Sequence, residues 1–361
     1  MKKILLILVG GTICTALNEN GTLSVSEGAG VCLKDNFENS DSPYAKKVHI
    51  DLTENLFILS ENMTVENWNR MLNTYRREVK KDHYDGVVFA HGTDTLAYSA
   101  SLFSMILSSS EIPVFFVSAN ARLDSARSNG NANFRCAIEC ICREIEPNVY
   151  VPYQNISDGK MYLHLASRVE QCKNYSDDFY SFDALDISGI SEENYGEYFE
   201  KIKELYPSSK RKNMIDCFEK WNLEENILMI TPYVGINYDI YDYSRFKAVL
   251  HGSFHSGTAC AQKDKYTDNY GKNSVLYMID QCAMLEPKVD TYFSPSKRSG
   301  EIYETVDIIG EHSLNGQKIQ FLYGMTNEMA YTKLVLAYSV FKEETKRKEF
   351  MNTECNFEYF M

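Results

Sequence analysis

The run Gly86-Val87-Val88-Phe89-Ala90 empties without a spacer into His91-Gly92-Thr93-Asp94-Thr95, and Leu96-Ala97-Tyr98-Ser99-Ala100 follows at once. The apolar run reads as a buried strand, and the segment after the polar loop reads as a helix. A strand joined to a helix in this way belongs in an open, mostly parallel sheet. Ligands of such sheets gather at the strand ends, where helix amides and loops converge. A second junction of the same kind opens the chain, where Ile4-Leu5-Leu6-Ile7-Leu8-Val9 runs into Gly10-Gly11-Thr12-Ile13. Two threonine-bearing loops at two strand ends point to chemistry on an acyl group rather than on a phosphate.

The alternation of strand and helix patterns continues. Candidate strands cover 3–9, 86–90, 113–119 and 149–153, and candidate helices 64–80, 95–108 and 131–145. Continuous apolar strands separated by helices imply a sheet covered on both faces. From about 185 to 224 the chain is rich in Glu, Lys, Tyr and Ser, with a helix pattern over Glu197 to Leu205 and no strand pattern. Strand patterns resume at 227–230, 247–250 and 274–278. A last helix is expected from Asn327 to Lys346 with Thr326 as its N-cap. The expected fold class is α/β, with a larger N-terminal doubly wound, mostly parallel-sheet domain over 1–190. A connecting segment over 191–224 and a smaller C-terminal α/β domain over 225–361 complete it. The aromatic and acidic tail, Phe350 to Met361, is expected to pack on the surface.

Composition narrows the functional classes. The 361 residues suffice for two cores, and 44% hydrophobic with 24% charged residues is a globular balance. A net charge of −13 argues against a general nucleic-acid binder. Ten cysteines are irregularly spaced, and only Cys136, Cys140 and Cys142 cluster. With no Cys-x-x-Cys pair, zinc is disfavoured, and reduced, mostly buried thiols point to the cytoplasm. Met1-Lys2-Lys3 before a short apolar run imitates a signal peptide, but Gly-Gly-Thr cuts the run off, so a buried strand explains it better. No run approaches the ~20 apolar residues of a membrane span.

Four segments resemble the bacterial-type L-asparaginases, a family of threonine amidohydrolases with an N-terminal catalytic domain and a smaller C-terminal domain. They are Gly10-Gly11-Thr12-Ile13, Ser60-Glu61-Asn62-Met63-Thr64, His91-Gly92-Thr93-Asp94-Thr95, and the weaker Gly324-Met325-Thr326 through Ala330-Tyr331-Thr332-Lys333-Leu334. They stand in the family's order across nearly the whole chain. Gly-Gly-Thr alone is a common turn, whereas His-Gly-Thr-Asp-Thr after a buried strand is far more specific.

The resemblance implies L-asparagine hydrolysed to L-aspartate and ammonia, with no metal or organic cofactor. Thr12 would be the nucleophile that forms the acyl-enzyme. Thr93 would deliver water or the proton from the other side of the amide. Asp94 and Glu61 would bind the substrate α-ammonium, and Ser60 its α-carboxylate. Asp94 also suits the N-cap of the helix that follows, and Ser60 to Thr64 also read as a helix start. The resemblance further implies a homo-oligomer, a dimer or tetramer, with no nucleic-acid or membrane partner.

Three departures stand out. The family's loop tyrosine about ten residues past the nucleophile is Thr22 here, although Gly21, Gly28 and Gly30 leave the segment the freedom of a lid. Asn129 stands where the family has a carboxylate, and reads as a cap of the next helix. The triad lysine is set by register. Counting from Asp158-Gly159 gives His164, pairing Ser167-Arg168 gives Gln171, and counting back from Phe179 and Phe182 gives Lys173. Lys173 is the chosen position because the family network uses a lysine. His255, in Gly252-Ser253-Phe254-His255-Ser256-Gly257-Thr258, occupies a segment that in the family reaches a neighbouring subunit's site. The rival readings are a same-fold amidase for glutamine or another amide, the ammonia-generating subunit of a tRNA amidotransferase, and an amino-acid-binding protein without turnover. The lack of an extension before the first strand counts against the amidotransferase reading.

Overall fold

The computed structural model describes residues 1–17, 23–25, 28–263, 270–295 and 304–360. The chain divides into two compact α/β units, one of residues 1–223 with 354–357 and one of 224–353 with 358–361. Residues 191–223 thus fold into the first unit, and so does a short piece of the C-terminal tail.

In chain order the first unit contains β1 (Lys2–Leu8), a small hairpin of β2 (Thr15–Leu17) and β3 (Leu23–Val25), α1 (Gly28–Glu38), β4 (Val48–Leu52), α2 (Val65–Lys81), β5 (Gly86–Ala90), α3 (Leu96–Ile106), β6 (Val114–Val117), α4 (Gly130–Cys142) and β7 (Val149–Gln154). Then come β8 (Met161–Leu165), β9 (Val169–Glu170), β10 (Tyr180–Ser181), β11 (Leu185–Asp186) and α5 (Tyr195–Leu205). Seven strands form one sheet in the order β11-β8-β7-β6-β5-β1-β4. The five from β7 to β4 run parallel, and β8 and β11 are antiparallel additions. After β4 the chain crosses to the other side of β1 to make β5, so the strand order reverses between β1 and β5. The crevice at the carboxyl ends of two such strands is the usual binding place of an open α/β sheet. Ile4 to Val9 and Val87 to Ala90 are buried, as strands covered on both faces require.

The helices follow from local chemistry. Thr64 Oγ1 accepts the Asn67 amide at 3.3 Å and starts α2. Val65, Trp68, Met71, Leu72 and Tyr75 then give α2 one buried stripe. The Trp68 indole donates to Ser99 Oγ at 2.8 Å, which ties α2 to α3. Gly28 and Gly30 lie in α1 rather than in a lid. Gly30 is buried where a side chain would collide with Leu8 and Leu52, so it serves close packing.

The second unit holds β12 (Ile227–Ile230), β13 (Ala248–His251), α6 (Val275–Ala283), β14 (Asp290–Phe293), α7 (Glu304–Glu311), β15 (Gln320–Phe321), α8 (Asn327–Val340) and α9 (Glu344–Asn352). Its four strands are parallel, in the order β12-β13-β14-β15. Three expectations change here. The strand expected at 274–278 is the start of α6. Ser274 accepts the Leu276 amide, and Val275, Leu276, Met278, Ile279 and Cys282 form a buried stripe at helical spacing. A short apolar run fits either period, and only its continuation to Cys282 decides. The last helix stops at Val340 because Phe341 turns extended, and the Arg347 guanidinium donates to the carbonyls of Phe341 and Lys342 at 3.2 and 2.7 Å. The tail is not superficial: Phe350, Asn356 and Glu358 are fully buried. Glu358 pairs with the equally buried Lys333 at 2.7 Å, an arrangement tolerated only when each charge is matched and hydrogen-bonded.

Candidate active site

Three loops meet at the ends of β1 and β5. Gly10 accepts a left-handed φ of 140° and Gly11 one of 75°, which only glycine adopts without strain. The Gly10 amide bonds Ala90 O at 3.2 Å, and the Gly11 amide bonds Ile58 O at 3.1 Å. A side chain on Gly11 would overlap the Cα and amide nitrogen of Gly92. One on Gly92 would sit 2.6 Å from the Ser60 Cβ and 2.9 Å from the Gly11 Cα. The Gly-Gly-Thr loop and the His-Gly-Thr-Asp loop are therefore packed backbone against backbone, with the Ser60 side chain against Gly92. Thr12 and Thr93 each lie one residue beyond the contact of Gly11 with Gly92.

Thr12 is half-buried and begins a single helical turn, Thr12–Cys14, whose carbonyl at Thr12 accepts the Thr15 hydroxyl at 2.9 Å. Ser60 is buried and donates to Asp94 Oδ2 at 3.0 Å, while Thr95 donates to Ser60 O at 2.9 Å. The carboxylate of Asp94 is thus held from one side and exposed on the other, where a cationic group can reach it. Glu61 is exposed on the same short turn, Ser60–Asn62. Thr93 O accepts the Leu96 amide at 3.4 Å and the Gln171 side-chain amide at 3.0 Å.

His91 is buried beneath this loop. Its Nδ1 lies 2.7 Å from Gly92 O, which can only accept, so Nδ1 carries the proton. Burial pushes its pKa down to about 4, so the ring is neutral near pH 7 and serves as a loop tie. The pattern recurs at the end of β13. There His251 is buried, its Nδ1 lies 2.5 Å from Gly252 O, and burial again pushes its pKa down to about 4. The Cys14 thiol, two residues past Thr12, is pushed up to about 12 by burial, which disqualifies it as a nucleophile.

The three residues weighed for the lysine position, Lys173, Gln171 and His164, lie in different settings. Lys173 is exposed, with its ammonium 5.6 Å from the centre of the Tyr180 ring. Gln171, on the Ser167-Arg168 register, is the residue that reaches Thr93. Phe179 is anchored against Tyr153 with ring centres 4.8 Å apart. The chain between Gln171 and Phe179 closes into a turn, with Ser176 N on Lys173 O at 3.1 Å and Cys172 Sγ on Ser176 O at 2.9 Å. This turn follows Gln171 and leaves Lys173 exposed. His164 is buried on β8 against Ser181 Oγ at 2.8 Å, and burial lowers its pKa to about 3.

Asn129 does not cap α4 with its side chain. It exchanges two 3.0 Å bonds with Asn120 and donates to Gln154 O at 2.8 Å, bracing the loops after β6 and β7. His255 is exposed on the second unit. Thr22 falls outside the described residues. Among the described residues no group of three or more His, Cys, Asp or Glu side chains is placed to hold a metal ion. All ten cysteines are free thiols, and no described helix is long and apolar enough to cross a membrane.

The reversed sheet order and the close approach of the two glycine-threonine loops give the chain an α/β architecture of the asparaginase type. The chain belongs to the asparaginase family, whose N-terminal domain description matches residues 3–200. It is similar to a glutamyl-tRNA(Gln) amidotransferase subunit of Methanothermobacter thermautotrophicus, 29% identical over 184 residues, covering 51% of this chain and 40% of that one. The same amidotransferase component of Archaeoglobus fulgidus is 28% identical over 230 residues, covering 62% and 53%. The chain thus spans about half the length of the curated relatives it matches. Its fold matches the thermostable L-asparaginase of Thermococcus kodakarensis at a TM-score of 0.69 and 19% identity, over 99% of both chains. It also matches L-asparaginase I of Vibrio cholerae at 0.68 and 19%, over 100% of this chain and 99% of that one.

Proposed function

We propose that this chain hydrolyses the side-chain amide of L-asparagine to L-aspartate and ammonia, with Thr12 as nucleophile. The observation that supports the reading is the backbone contact of Gly11 with Gly92, one residue before Thr12 and one before Thr93, at the point where the strand order reverses between β1 and β5. In this reading Thr12 Oγ attacks the amide carbon, ammonia leaves with a proton, and the resulting ester is hydrolysed by water drawn to Thr93. Asp94 binds the α-ammonium, with Ser60 holding the carboxylate in place, and Glu61 adds negative charge at the rim. Gln171 donates to the Thr93 carbonyl and Lys173 is exposed, so this reading does not route the proton path through Lys173. The active assembly is a cytoplasmic homo-oligomer, a dimer or tetramer.

A second reading is hydrolysis of a glutamine-type amide. The amidotransferase names of the curated relatives favour it. One experiment separates the cases: ammonia release by purified protein from asparagine, glutamine and small amides, beside Thr12→Ala. Release from asparagine that falls by about 10⁴-fold in the variant supports the first reading. Preference for glutamine selects the second. Saturable asparagine binding without release overturns both and makes the chain an amino-acid-binding protein.

A further inference from the structure

We propose that the C-terminal segment Cys355-Asn356-Phe357 is a positioning element for Thr93, acting through Gln171. The proposal rests on the functional reading above only for its activity readout. Asn356 is fully buried inside the first unit. Its side-chain amide donates to Ser104 O at 2.9 Å and to Asn148 Oδ1 at 2.8 Å, and its Oδ1 accepts from Asn148 at 3.2 Å. Its backbone carbonyl accepts the Ser167 hydroxyl at 2.7 Å. Next to it, Phe357 O accepts Arg168 Nε at 2.5 Å, and the Phe357 ring meets Tyr206 edge-on at 5.5 Å.

These contacts converge on the short turn Ala166–Arg168, which leads through β9 to Gln171. That stretch lies against α3 and is pinned to it at three heights. Asn356 links it to Ser104 in the last turn of α3, Ser101 Oγ reaches Ala166 O at 3.3 Å midway, and Gln171 bonds Thr93 O just before the first turn. Thr93 therefore sits at one end of a strut whose other end is the buried tail. A buried hydrogen-bond chain of this kind fixes geometry because each lost partner leaves a desolvated group behind. Displacements of about 1 Å at reacting groups are large enough to lower rates by about 10²-fold.

Ser167→Ala tests this, since it removes the link from the turn to the tail and leaves the shape of the core nearly unchanged. Three measurements are taken on the full chain: amide hydrogen exchange of the 91–98 segment, ammonia release, and thermal unfolding. The expected result is faster exchange in 91–98 and kcat lowered about tenfold with KM little changed, while the unpaired Asn356 carbonyl lowers the unfolding temperature by roughly 2–8 °C. A double-mutant cycle supplies the second test. If the tail acts through Gln171, Ser167→Ala/Gln171→Ala is no slower than Gln171→Ala alone. Multiplying losses, or unchanged exchange in 91–98, overturn the proposal. Should the wild type release no ammonia, the functional reading fails, while the exchange measurement still decides this one.

Discussion

The close approach of Gly11 to Gly92 sets a sharp test. Gly11→Ala places a methyl group against the Cα and amide nitrogen of Gly92, closer than ordinary van der Waals contact by at least about 1 Å. Both partners are backbone, so no side chain can swing aside and the two threonine loops must separate. The φ of 75° adds a left-handed penalty of roughly 1–2 kcal/mol, and overpacking adds roughly 1–3 kcal/mol. A shift of this size between the loops should lower turnover by about 10²-fold or more. Gly316→Ala is the control. Its φ is also 75° but nothing lies within 4 Å of the added methyl, so it carries the backbone penalty alone. Steady-state ammonia release and thermal unfolding are measured on both variants. Gly316→Ala should lose stability and keep activity, and Gly11→Ala should lose both. Wild-type turnover in Gly11→Ala, or an equal activity loss in the two variants, would refute the idea that loop spacing controls the site.

Lys173→Met should match wild type in stability to within about 0.5 kcal/mol, as exposed substitutions do, and should keep its kcat, whereas Gln171→Ala lowers kcat. Kinetics that collapse in Lys173→Met would restore the lysine register. Ser60→Ala removes the hydroxyl from Asp94 Oδ2 and should raise KM about tenfold, the equivalent of about 1.5 kcal/mol for a charge-assisted bond; an unchanged KM would separate Asp94 from substrate binding. Burial holds His91 and His251 at about 4 and His164 at about 3, against about 6.5 when unfolded. The unfolded chain then binds more protons below that value, so stability is full above about pH 6.5 and is lost as pH falls through about 4. Unfolding temperatures that stay flat from pH 7 to 4 would show that these rings are not held neutral.

The sequence by itself determined the features whose cause is local. The apolar runs of β1 and β5 each end in a glycine-threonine loop, and that order of residues dictates a buried strand, a tight turn and a helix. Thr64 and Thr326 mark the starts of α2 and α8, because a cap needs only the next three residues. That Thr12, Thr93 and Asp94 stand on loops at the ends of β1 and β5 was legible for the same reason. What tertiary structure decided involves partners far apart in the chain. Gln171 rather than Lys173 meets the Thr93 carbonyl, 78 positions away, because the chain turns between Lys173 and Ser176 before Phe179 packs on Tyr153. A contact between residues so far apart leaves no periodic signal, so counting could not place it. The tail reads as polar and aromatic surface. Asn356 is nevertheless buried, because Asn148 and Ser104 supply the partners that its desolvated amide requires. Those partners lie 208 and 252 positions away, and nothing in the local pattern of the tail specifies them.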